Sequence, residues 1–114
     1  MDRLLGDQER ASDSEALAAM IVVWSPAAIA DLAQLRAYIA EDDPTAAQRV
    51  ALHIAYNVVT LLPANPRIGR PGRVPGTREL VIPKTPFIVP YRIIGGTVEV
   101  LRVYHGARRW PERF

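Results

Sequence analysis

The hydrophobic pattern changes period along the chain, and each change predicts an element. Ile21-Val22-Val23-Trp24 is an unbroken apolar run rich in β-branched side chains and closed by Ser25-Pro26, which predicts a short buried strand. From Pro26 the apolar positions fall at Ile29, Leu32, Leu35 and Ile39, three and four apart, so a helix is expected over about 26–42. Ser25 caps its free amides, and Pro26 is pre-set for the first helical position. Asp43-Pro44 repeats the device. Val50, Ile54, Val58 and Leu61 then trace one buried stripe down a second helix, which should stop before Pro63. With so short a link, the two helices must pack as an antiparallel hairpin.

Residues 63–90 carry Pro63, Pro66, Pro71, Pro75, Pro83, Pro86 and Pro90 with Gly69, Gly72 and Gly76, a density of breakers that predicts mostly loop. Beyond them, two β-rich runs, 87–94 and 97–104, flank Gly95-Gly96 and predict a hairpin with a two-residue turn. That turn fixes a register. Ile94, Arg92, Pro90 and Ile88 face Thr97, Glu99, Leu101 and Val103 on one side, while Ile93, Tyr91, Val89 and Phe87 face Val98, Val100, Arg102 and Tyr104 on the other. The second set is the more apolar and should pack on the helices; the first, continued to His105, should be the open face. Arg102 then falls on the packed side, so either its stem snorkels or a bulge turns it outward. Pro90 has no amide to give a ladder, which also implies a bulge or an unpaired position.

Length, composition and charge narrow the function. At 114 residues the chain has room for one domain, and no apolar run approaches the ~18 residues that would span a bilayer. The stretch 1–19 carries Asp2, Asp7, Glu9, Asp13 and Glu15 against Arg3 and Arg10, the wrong charge for a secretory signal, so a cytoplasmic protein is expected. With no cysteine, and with His53 and His105 lacking a ligand cluster, neither disulfides nor a metal site is expected. Residues 1–66 hold four Arg against nine acids, whereas 67–114 hold ten Lys or Arg against three Glu. A basic half of this kind suits anionic partners, either nucleic acid or an acidic protein segment, and equally a solvated surface.

Strand, helix hairpin, basic Pro/Gly loop, β-hairpin and short basic tail together resemble the RelE/ParE superfamily of toxins. The phrases Trp24-Ser25-Pro26, Asn65-Pro66-Arg67-Ile68-Gly69-Arg70, Gly76-Thr77-Arg78-Glu79-Leu80 and Val103-Tyr104-His105-Gly106-Ala107-Arg108 look like that family's, in its usual order, over about residues 20–111. The resemblance implies an α+β fold, with an N-terminal strand and an antiparallel two-helix hairpin covering one face of a small antiparallel sheet, and a short basic C-terminal tail. The toxin domain is expected over 20–114. The acidic extension 1–19 lies outside the family pattern, either upstream of a natural start at Met20 or as an extra helix over the toxin surface.

The same resemblance implies the toxin of a type II toxin–antitoxin module, neutralised as a hetero-oligomer by a cognate antitoxin and needing no cofactor. Antitoxin is expected along Leu52, Tyr56 and Val59, a second apolar stripe on the second helix beyond the one the core needs. Two cellular targets follow. A ParE-like toxin binds protein, DNA gyrase being the example; a RelE-like toxin is an endoribonuclease that cleaves messenger RNA on the ribosome without metal. Non-toxic interaction through the same fold is a third reading. For the nuclease, His105 is the candidate acid or base, and Arg78 and Arg108 the phosphate cations. Arg67, Arg70, Arg73, Arg102 and Arg109 are candidate contacts to nucleic acid or another target. Against catalysis, Ile88 stands where the nucleolytic relatives carry a strand arginine, and Arg92, about 13 Å along the strand, is better read as the cross-strand partner of Glu99.

Overall fold

A computed structural model describes residues 20–114; the stretch 1–19 lies outside the described residues. Strand β1 (Ile21–Trp24) leads into helices α1 (Pro26–Ala40) and α2 (Pro44–Ala64). Strands β2 (Arg70–Pro71), β3 (Arg78–Val81), β4 (Phe87–Ile94), β5 (Thr97–Val100) and β6 (Tyr104–His105) complete the order. Both caps form as their chemistry dictates: Ser25 Oγ accepts from the Ala28 amide at 3.0 Å, and Asp43 Oδ1 from the Ala46 amide at 3.1 Å. The first helix ends at Ala40, two residues early. Pro63 does not stop α2. It sits in the last turn, where the missing amide costs a single helical bond, and the Asn65 amide closes the end on the Leu61 carbonyl at 2.9 Å.

The sheet runs β1-β5-β4-β3-β2, with β6 pairing β4 beyond the end of β5. It is mixed rather than purely antiparallel. β1 lies parallel to β5, Ile21 beside Thr97 and Trp24 beside Val100, at the edge opposite β2, the strand to which the helix hairpin delivers the chain. The hairpin turns at Gly95, which takes φ +59°, and sets Arg92 opposite Glu99 as its glycine pair predicts. β3 was hidden in the Pro/Gly region. Its four residues pair antiparallel with β4, Leu80 against Val89 and Arg78 against Tyr91, a partner that local pattern cannot name.

One face of this sheet carries the core. Val89, Tyr91, Val98, Val100, Leu80 and Val103 meet Ala28 of α1 and Ile54, Val58 and Leu62 of α2. The stripe on α2 therefore centres on Ala47, Ile54, Val58 and Leu62, with Val50 and Leu61 only partly buried at its margin. On α1 the inward residues are Ala28, Asp31, Leu32 and Leu35, and Ile29 faces solvent. Tyr91 ties the sheet to the loop before it: its hydroxyl donates to the Pro66 carbonyl at 2.7 Å and accepts from the Gly69 amide at 2.9 Å.

Burial raises the Tyr91 phenol above its ordinary 10.0, against the opposing pull of the Gly69 amide and the Arg78 charge. The neutral phenol is thus favoured by folding. Its contribution to stability should be complete below pH 10.0 and lost as pH rises through the folded-state value, since the unfolded chain gives up that proton first. Urea titrations across that range should show the loss in the native chain and a flatter profile in Tyr91→Phe.

Candidate functional site

The register slips by one residue between the two ends of the hairpin. Tyr91 lies opposite Val100, yet Ile88 lies opposite Tyr104 and Phe87 opposite His105, so residues 101–103 oppose one residue fewer on β4. Pro90 is at the slip, accepting from the Leu101 amide at 2.9 Å and giving no bond back. Because side chains alternate, the slip exchanges the two faces for everything after it. Val103 enters the core, and Tyr104 turns to the opposite face. His105 therefore leaves the open face on which the unshifted register would put it and comes to the helix side, its ring edge-on to Phe87 with centroids 5.8 Å apart.

His105 stands on the rim of a cleft of about 590 Å³. Leu35, Tyr38 and Ile39 of α1, Val50 of α2 and Phe87 supply apolar wall, while Lys84, His105 and Arg108 supply basic groups. The Ala107 amide donates to His105 Nδ1 at 3.1 Å, so a neutral ring carries its proton on Nε2, the nitrogen left for a partner. Arg108 follows in the same turn, its amide donating to the His105 carbonyl at 3.0 Å and its guanidinium lying 4.3 Å from the Tyr104 ring centroid. His105 and Arg108 thus share this turn and both line the cleft, while the Arg108 guanidinium is held against Tyr104.

The opposite face is not open at this end. Tyr104 packs against Trp110 at 5.1 Å and Phe114 at 6.1 Å between centroids, so the tail folds back over the sheet. Arg73 stacks on Trp110 at 3.8 Å. Ile88, beneath the same turn, is buried and would lie 3.2 Å from a Cβ added at Gly106. Arg102, Arg108, Arg109 and Arg113 ring these aromatics.

Arg78 is elsewhere. It lies opposite Tyr91 on one side of β4, four residues and so about 13 Å along that strand from the His105 pairing on the other side. Its Nη1 donates to the Gly69 carbonyl at 2.6 Å and the Arg67 carbonyl at 3.2 Å, a loop-bracing role that places it outside the His105 cleft. Arg67 itself is exposed on that loop. Arg70 and Arg73 converge on Glu79, which is only 2% exposed. Arg70 Nη2 reaches Oε1 at 2.9 Å, Arg73 Nε reaches Oε2 at 3.3 Å, and the Arg73 amide adds a bond to Oε2 at 2.8 Å. Arg102 forks onto Asp31 of α1, which holds its guanidinium above the usual arginine range. Leu52, Tyr56 and Val59 are all exposed on α2. Two acids that hold this arrangement, Asp31 and Glu79, escaped the sequence reading. The available signal was an acid at an inward-facing position of an otherwise apolar stripe or strand.

A model of the ParE toxin of type II toxin–antitoxin systems matches residues 22–110. The chain belongs to the ParE toxin family. It is similar to toxin Y4kP of Sinorhizobium fredii, 45% identical over 89 residues that cover 78% of this chain and 91% of the relative. Among solved structures, the chromosomal ParDE toxin–antitoxin system of P. aeruginosa superposes with a TM-score of 0.68 at 32% identity, over 75% of this chain and 95% of that one. The RelBE2 toxin–antitoxin complex of Mycobacterium tuberculosis gives 0.58 at 26%, over 78% and 93%. This ParE-family toxin therefore shares its fold with those structures over 75% and 78% of its length, and no described helix is long and apolar enough to cross a membrane.

Proposed function

We propose that this toxin is held by a cognate antitoxin along Leu52, Tyr56 and Val59, and that it inhibits growth in the cytoplasm by binding a protein target, DNA gyrase first among the candidates. The end of the sheet carrying His105 and Arg108 is the binding end. Buried Ile88 carries this reading. A nuclease of this fold needs a cation against the phosphate at that strand position, and here an apolar side chain lies under the Gly106 turn. The arginines near it are committed elsewhere: Arg102 to Asp31, Arg70 and Arg73 to Glu79. Arg108 and Arg109 remain as target contacts beside the aromatic cluster.

A supercoiling assay with purified gyrase tests it, run beside primer extension on messenger RNA after induced expression. Inhibited supercoiling with intact transcripts is expected; cleaved transcripts with normal supercoiling would make the chain a metal-independent endoribonuclease instead. In the supercoiling assay, His105→Ala with Arg108→Ala should raise the concentration needed for inhibition about tenfold, the size of a modest interface contact. Antitoxin affinity should be unchanged, since neither residue lies on the α2 stripe.

A further inference from the structure

Asp31 is a carboxylate in the wrong place for a simple amphipathic helix. It occupies the inward side of α1 between Ala28 and Leu35 and is only 8% exposed. Its two oxygens receive three donors from a segment more than seventy residues away. Oδ2 takes Arg102 Nε at 2.7 Å and the Val103 amide at 3.0 Å, and Oδ1 takes Arg102 Nη2 at 2.9 Å. Those donors belong to residues 101–103, the stretch in which the ladder slips. Opposite that stretch Pro90 has no amide, so the strand alone provides only the Leu101 bond. The Val103 amide is buried and would be an orphan without the carboxylate.

We propose that Asp31 is the positioning residue of the toxic end of the sheet: by holding Arg102 and the Val103 amide it selects the slipped register, and the slip sends His105 to the cleft and Tyr104 to the tail. Without the clamp, the unslipped ladder continues past Val100. In that register His105 joins the face of Ile88 and Arg92, and Tyr104 turns toward the helices. The contact between α1 and residue 102 thus acts on the site through side-chain alternation and touches no target itself. Its functional consequence rests on the reading that the His105–Arg108 end carries toxicity, whereas the register itself is read independently of toxicity.

The test is nuclear magnetic resonance on the full chain with labelled histidine and phenylalanine, beside toxicity and antitoxin affinity. In the wild type the His105 ring should show cross-peaks to the Phe87 ring, which lies within contact distance only in the slipped register. Asp31→Asn loses the charge and one acceptor oxygen. It should shift the equilibrium between registers about ten- to a hundredfold, the range for charge-assisted hydrogen bonds, and abolish or split the His105–Phe87 cross-peak. Toxicity should fall with that cross-peak while antitoxin affinity stays within about twofold, because the α2 stripe is separate. Arg102→Lys keeps the charge and the Asp31–Val103 bond but gives up the fork. It should fall between wild type and Asp31→Asn, and it serves if the latter does not fold. A folded Asp31→Asn that keeps the full His105–Phe87 cross-peak would overturn the proposal. So would toxicity and antitoxin affinity falling together with that cross-peak intact, the mark of general destabilisation. Loss of the cross-peak with undiminished toxicity would leave the register role standing and place the toxic surface elsewhere.

Discussion

Glutamate at both Leu52 and Tyr56 is expected to weaken antitoxin binding by a hundredfold or more, on the order of 2 kcal/mol for each anchor lost from the centre of an interface. The two residues lie about 200° round α2 from the core positions Ile54 and Val58, since each residue advances the helix by about 100°. Their direction is therefore away from the sheet, and both are more than 60% exposed, with Val59 beside them at 51%. A row of large apolar side chains at spacing i, i+4, i+7 on an outward helix face has the form that an apolar partner helix or strand would dock on, which is the ground for the proposal. Because both are mostly exposed, the same changes should leave the melting temperature of the free toxin within about 4 °C. Titration calorimetry with the antitoxin and a thermal melt of the toxin alone check both halves. Unaltered affinity would remove the stripe from the interface, and a collapse in stability would show that it serves the fold.

Tyr91→Ala should be among the most destabilising single changes, at about 3–5 kcal/mol for loss of a fully buried aromatic ring. The ring is completely buried between the helices and the sheet, and its hydroxyl bridges Gly69 and Pro66 across the basic loop. Tyr91→Phe isolates the second contribution. It keeps the packing but leaves the Gly69 amide without that partner, at about 1–3 kcal/mol. Gly69 has no room to compensate, since a Cβ there would meet Tyr91 Oη at 2.6 Å and the Glu79 carbonyl at 2.8 Å. The loop should loosen in the phenylalanine variant while the core stays intact. Chemical denaturation would give both losses, and faster amide exchange over residues 66–70 would appear in Tyr91→Phe. Equal stability of Tyr91→Phe and wild type would mean that the bridge contributes nothing net.

The amino-acid sequence alone determined the parts of this protein whose cause is local. Ser25-Pro26 and Asp43-Pro44 start the helices because their side chains and fixed φ act within one turn. Gly95-Gly96 sets the hairpin and the Arg92–Glu99 pair, a 2.7 Å contact, because a two-residue turn leaves no other register nearby. The exposed α2 stripe was legible for the same reason: two apolar rows on one helix are more than one sheet face can cover. Tertiary structure decided what depends on distant partners. β1 found a parallel neighbour across most of the chain, and β3 an antiparallel one across the proline-bounded connection 82–86, neither marked by any periodicity of its own. The candidate site belongs to this second class. Pro90 announced an irregularity in the ladder, but its direction came from Asp31, whose carboxylate captures Arg102 and the Val103 amide. Alternation turns that one-residue slip into an exchange of faces, so a helix contact more than seventy residues upstream fixes the side on which His105 stands.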